Sequence, residues 1–133
     1  MSRVIALDYG ARRCGCAVSD PSGTLATPLG VVEDPSSEAG LRRIAKLVAE
    51  QNAGAVVVGL PVTLAGEEGQ QAVETKAFAE RLRGVLGVPV ETYDERFTTR
   101  LAQSATGRAP EDSRAAAHLL ADYLRATRDH EKR

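Results

Sequence analysis

Residues 4–10, Val4-Ile5-Ala6-Leu7-Asp8-Tyr9-Gly10, place a carboxylate at the end of an unbroken apolar run, with a glycine two residues later. A run without polar alternation suits a strand covered on both faces, and in such sheets the polar chemistry gathers where strands end. Function is therefore to be sought around Asp8. A second run of this kind, Ala55-Val56-Val57-Val58, stops at Gly59-Leu60-Pro61. A helical connection back to the sheet argues that it pairs in parallel beside the first.

Between these two runs, Cys14 to Ser19 forms a second strand, Asp20-Pro21-Ser22-Gly23 supplies a turn, and Thr24 to Val32 makes a third strand, together an antiparallel meander. Ser36 or Ser37 can cap a helix whose stripe is Leu41, Ile44, Ala45 and Val48, running to about Gln51. Residues Leu64 to Gln71 are glycine-rich and acidic and read as a mobile loop. The following helix, from about Ala72 to Leu86, is expected to bury Phe78, Leu82, Val85 and Leu86. Val88 to Tyr93 is a fifth strand, running into Asp94-Glu95-Arg96. A short helix from about Thr98 to Ser104 and a loop from Ala105 to Pro110 lead to a last helix from near Asp112 to about Arg128. The fold class is α/β, a mixed five-stranded sheet with helices on both faces.

The 133 residues, 43% hydrophobic and 26% charged, fit one domain over 1–133, with a frayed charged tail within 126–133. No apolar stretch reaches the ~20 residues of a membrane span, and the N-terminus lacks a secretory h-region, so no membrane role and a cytoplasmic location are expected. Cys14 and Cys16 share a strand face and read as small reduced core residues; with only His118 and His130 as histidines, a structural zinc site is excluded. A net charge of −1 speaks against a constitutive nucleic-acid coat. It leaves room for local contacts through a basic rim of Arg12, Arg13, Arg96, Arg100, Arg108 and Arg114.

Three carboxylates stand out. Asp8 and Glu95 each follow an apolar strand, and parallel pairing brings those strand ends to one edge of the sheet. On the last helix the stripe Ala116, Leu119, Leu120, Tyr123, Leu124, stepped back by three and four residues, reaches Asp112 on the inward face. Alone, Asp112 is explained as well by the helix dipole. Converging carboxylates repel unless cations lie among them, and hard divalent cations take oxygen ligands. The reaction this arrangement suits is phosphodiester hydrolysis, with two ions ~3.5–4 Å apart. His118 reads as a partly exposed helix residue, Asp122 as solvated polar face, and Gly59 and Pro61 as shaping the turn after their strand.

Asp8-Tyr9-Gly10 with Gly15-Cys16-Ala17-Val18-Ser19-Asp20, Val58-Gly59-Leu60-Pro61, Asp94-Glu95-Arg96-Phe97-Thr98-Thr99, and Asp112-Ser113 with Ala115-Ala116 and Leu119 to Leu124, resemble in order the motifs of the YqgF/RuvX family. That family has a ribonuclease H-like fold and is described both as Holliday junction resolvases and as nucleases maturing the 5′ end of pre-16S rRNA. The resemblance implies Asp8, Glu95 and Asp112 as catalytic, metal-binding carboxylates holding Mg²⁺ or Mn²⁺. It further implies Gly10, Arg96 and Thr98 as phosphate contacts, with a salt bridge to Asp94 or Glu95 as the other reading of Arg96, structured precursor rRNA or branched DNA as substrate, and a homodimer where the substrate is a junction. The segment between Thr99 and Asp112 is shorter than is usual in the family, and Glu111 stands where glycine or lysine is common. Two rivals remain on sequence grounds. A nucleotide phosphotransferase shares the Asp8-x-Gly10 hairpin but needs a second such domain, and a non-catalytic ribosome-assembly factor would suit the near-neutral charge.

Overall fold

A computed structural model describes residues 3–61, 69–95 and 111–131. Eight elements follow in order: β1 (Arg3–Tyr9), β2 (Arg13–Ser19), β3 (Ala26–Glu33), α1 (Glu38–Glu50), β4 (Ala53–Leu60), α2 (Gln70–Val85), β5 (Val90–Asp94) and α3 (Glu111–Glu131). The short helix expected over 98–104 and the loop expected over 105–110 lie outside the described residues, as does most of the loop expected over 64–71.

The five strands form one sheet in the order β3-β2-β1-β4-β5. β1, β2 and β3 are the antiparallel meander, whereas β1–β4 and β4–β5 pair in parallel through the α1 and α2 crossovers. β1 and β4 are thus the central strands, which is why both are apolar without alternation. Their two faces bury different layers. Ile5, Leu7, Tyr9, Val56 and Val58 face α1 and α2, with Ile44, Phe78 and Leu82 filling the space between; both cysteines lie here, buried and without a disulfide. Ala6, Ala17 and Val57 face α3, through Ala116, Ala117, Leu119, Leu120 and Leu124.

Local chemistry explains the boundaries. Ser37 caps α1, its hydroxyl accepting from the Gly40 N–H at 2.9 Å. Asn52 closes the far end in the left-handed region at φ 55°, a conformation asparagine tolerates. Tyr9 stacks on Phe78 with ring centroids 4.4 Å apart, and its hydroxyl meets Ser36 Oγ at 2.9 Å. One side chain thereby ties the end of β1 to α2 and to the segment just before α1. On edge strand β5, the Arg83 guanidinium donates through Nε and Nη2 to the Val90 carbonyl at 3.1 and 2.9 Å.

Three expectations are corrected. Val85 is 53% exposed rather than buried, because it lines an open groove with Leu41, Arg42 and Ala45 of α1; Leu86 is half-buried. Asp122 is 6% exposed rather than solvated, because α3 lies across β1, β2 and β3 and buries a wide arc of its circumference. The last helix continues to Glu131, past the expected end near Arg128, in a stretch free of glycine and proline where Thr127 Oγ1 donates to the Tyr123 carbonyl at 2.9 Å. His118 is half-buried, as expected.

Phe78→Ala should lower unfolding stability by about 3–5 kcal/mol, since it empties a fully buried site stacked on Tyr9; urea denaturation at equilibrium measures it. The β2–β3 turn offers a second check. The Asp20 carboxylate accepts from Ser22 Oγ and from the Leu25 and Thr24 N–H groups, which holds its pKa below the ordinary 3.8. A depressed folded-state pKa contributes stability that is present above about pH 4 and lost as pH falls further. Asp20→Asn should flatten the fall in melting temperature below about pH 4.

Candidate active site at the edge of the sheet

The alternation of β1 fixes where Asp8 points. Leu7 and Tyr9 belong to the α1/α2 layer and Ala6 to the α3 layer, so Asp8 stands on the α3 face, half-buried. Its antiparallel partner is Gly15, and one step beyond the Leu7–Val58 pair on the other side lies Gly59. Asp8 is therefore flanked across the sheet by two residues without side chains. Gly59 in turn pairs with Tyr93, whose ring packs in the α3 layer.

Glu95 follows β5 directly and returns its side chain over that row. A methyl group built on Gly59 would stand 2.5 Å from Glu95 Oε1, 3.0 Å from Glu95 Cδ and 2.9 Å from Leu119 Cδ2. The Glu95 carboxylate thus occupies the space above Gly59, on the strand adjacent to Asp8, and neighbouring strands are only ~4.8 Å apart. Two of the three expected carboxylates are brought to one place. Asp112 is the second residue of α3, and its side chain lies outside the described residues; Ser113, next along, is fully buried, so protein encloses the helix there. Arg96 and Thr98 also lie outside the described residues. Arg12 is exposed in the β1–β2 turn beside the site, its carbonyl accepting from the Asp34 N–H at 2.8 Å. Gly10 has a local reason to be glycine, since a Cβ there would sit 2.8 Å from the Arg13 carbonyl oxygen.

The expectation that Gly59 serves the turn gives way to a closer role, space for a carboxylate. A glycine inside a wholly apolar strand is the signal in the sequence, because such a glycine marks a close approach. Beyond it, Tyr93 and Tyr123 meet edge to face with centroids 5.7 Å apart, and Asp122 contacts Arg125 Nη1 at 3.4 Å. Burial, and then the Asp122 charge, raise the Tyr93 pKa above its ordinary value.

Do these residues suit a metal? Among the described residues no group of three or more ligating side chains is gathered. The donor pair Asp8 and Glu95 is nevertheless all hard oxygen, with glycine beside Asp8 on both flanking strands and the Glu95 carboxylate in the space a Gly59 side chain would take, which fits a divalent cation and not a soft one.

A sheet ordered 3-2-1-4-5 with carboxylates at the ends of β1 and β5 defines the ribonuclease H-like class of α/β proteins. Residues 2–126 match the RuvX family, described as Holliday junction resolvase, and the chain belongs to that family. It is 39% identical over 139 residues to a protein of Chloroflexus aurantiacus named "Putative pre-16S rRNA nuclease", covering 98% of this chain and 91% of the relative. A Rhodococcus erythropolis protein of the same name is 44% identical over 137 residues, covering 92% and 77%. Among solved structures, Thermus thermophilus RuvC in complex with a Holliday junction substrate superposes with a TM-score of 0.65 at 17% identity, covering 96% of each chain. The fowlpox virus Holliday junction resolvase gives 0.54 at 11% identity, covering 93% and 99%. These two likenesses speak to the fold.

Asp122→Asn should lower the pH at which Tyr93 ionises, because it removes a negative charge that disfavours tyrosinate. Ring NMR shifts followed with pH in a Tyr123→Phe background measure the effect.

Proposed function

We propose that this chain is a divalent-metal-dependent nuclease in which Asp8, Glu95 and Asp112 hold the metal and structured precursor rRNA is the substrate. That it hydrolyses phosphodiester bonds in nucleic acid follows from its family. The observation that carries the site is the Glu95 carboxylate seated over Gly59 beside Asp8. Like charges so placed favour a bound cation. Divalent metal ions are general to nucleases of this fold, and the reading here is two ions, Mg²⁺ or Mn²⁺. When bound, the metal would lower the pKa of a water and offset charge on the departing oxygen. The chain's own residues do the rest: Asp8 presents oxygens from the end of β1 and Glu95 from just beyond β5, and Arg12, with Arg96 and Thr98, is proposed to orient the phosphate.

Residues 1–133 are read as one catalytic unit. No helix among the described residues is long and apolar enough to cross a membrane, and rRNA precursors would place the work in the cytoplasm. The relatives' names favour precursor rRNA over branched DNA. If a junction is cut instead, two equivalent strands ask for a two-fold homodimer.

The test offers purified protein and Mn²⁺ a structured RNA with a 5′ leader beside a synthetic four-way junction. Cleavage of the RNA, abolished by a chelator and restored by Mn²⁺, is expected; failure on both substrates with metal shown bound overturns the proposal. Asp8→Asn should reduce cleavage roughly 10³-fold, the scale of several kcal/mol of transition-state stabilisation, with the melting temperature retained.

A further inference from the structure

Gly59 has no conformational reason to be glycine. It lies within β4, paired with Tyr93, and the described glycines with positive φ are Gly23 and Gly30. What excludes a side chain is the pair of neighbours above it, the Glu95 carboxylate and the Leu119 methyl. Carbon atoms essentially never approach as closely as 2.5 Å to a carboxylate oxygen, so one partner must withdraw if a Cβ is present. The ladder fixes the backbones on both sides through the Gly59–Tyr93 and Leu60–Asp94 pairs. The end of Leu119 can turn about its side-chain bonds. Glu95 is caught at both Oε1 and Cδ, so its carboxylate is the group that leaves.

We infer that Gly59, with Leu119 as the facing wall, forms a socket that seats the Glu95 carboxylate beside Asp8, making Gly59 a positioning residue for metal binding. The inference rests on the proposal that Asp8 and Glu95 hold the metal. It separates two roles that the apolar run of β4 would otherwise merge: Val56, Val57 and Val58 build the core, and Gly59 is kept empty so that a carboxylate from the next strand can lie across it.

The test compares wild type, Gly59→Ala, Glu95→Asp, Gly59→Ala/Glu95→Asp and Gly59→Ala/Leu119→Ala by Mn²⁺ binding in paramagnetic resonance, by thermal unfolding, and by the crystal structure of Gly59→Ala. Gly59→Ala should weaken Mn²⁺ roughly 10–100-fold, the usual effect of losing a group that orients a metal ligand. The shorter side chain of the Glu95→Asp variant no longer reaches the socket, so Gly59→Ala should cost nothing further in that background. Removing the Leu119 methyls should not restore affinity to Gly59→Ala. Unchanged Mn²⁺ affinity in Gly59→Ala, equal losses in the wild-type and Glu95→Asp backgrounds, or rescue by Leu119→Ala would each overturn the socket. If Gly59→Ala fails to fold, recovery of the wild-type melting temperature in Gly59→Ala/Glu95→Asp supports the same clash, and failure of that variant too overturns it. Absence of Mn²⁺ binding by wild type would sink the metal reading instead, while the crystal structure still decides the socket: the Glu95 carboxylate displaced supports it, and the carboxylate unmoved overturns it.

Discussion

Parallel pairing of β1, β4 and β5 is the constraint on which the candidate site depends. Because both crossovers are helical, the C-terminal ends of these three strands fall on one edge, and Asp8 and Glu95 arrive there from positions far apart in sequence. The intervening strand could have separated them. It does not, since its last layer on the α3 face is a glycine, and the longer carboxylate reaches back across the gap. Gathering two negative groups in this way costs electrostatic energy that the fold must supply from elsewhere, and the central strands supply it by burying nearly every side chain they carry.

The two faces of the sheet divide that labour. Toward α1 and α2 the side chains are large, with Ile5, Leu7, Tyr9 and Phe78 filling a deep layer. Toward α3 the layer mixes small residues, Ala6, Ala17, Ala116 and Ala117, with Leu119, Leu120 and Leu124. The α1/α2 layer holds the larger share of the buried side chains, and Asp8 stands on the other side of the sheet. Tyr9 joins the two layers: its neighbour Asp8 points toward the α3 face, while its own ring stacks on Phe78 and its hydroxyl engages Ser36. The strand end that bears the carboxylate is thereby held to α2 and to the segment that leads into α1.

Much of this is legible in the residues. Unbroken apolar runs identify β1 and β4 as central, the Asp20-Pro21-Ser22-Gly23 turn marks the meander, and Ser37 announces α1. The illegible parts share a cause, which is that periodicity describes one element at a time. Val85 continues the α2 pattern, yet its exposure depends on how far α1 and α2 diverge around it. Asp122 looks solvated on a helical wheel, yet a helix lying over three strands buries a wider arc than one packed on a single neighbour. Gly59 reads as punctuation because the Glu95 side chain that needs its space arrives from just beyond a different strand.

Glycine inside a strand is unfavourable by roughly 0.5–1 kcal/mol relative to alanine, through backbone entropy and lost packing. Here two such positions, Gly15 and Gly59, flank Asp8 on its two neighbouring strands. Stability alone would select small apolar residues at both, as it does one layer below with Ala17 and Val57. Gly30 and Gly54 also lie within strands, but the row through Asp8 has a glycine on each of the two neighbouring strands, and that row carries the carboxylates. Departures from local consistency concentrate where a fold serves chemistry rather than its own cohesion. By that reasoning the glycines around Asp8 point to the site as directly as the acidic residues do, because an aspartate on a core strand has other uses, whereas glycine on both flanking strands, one of them overlain by a second carboxylate, has few.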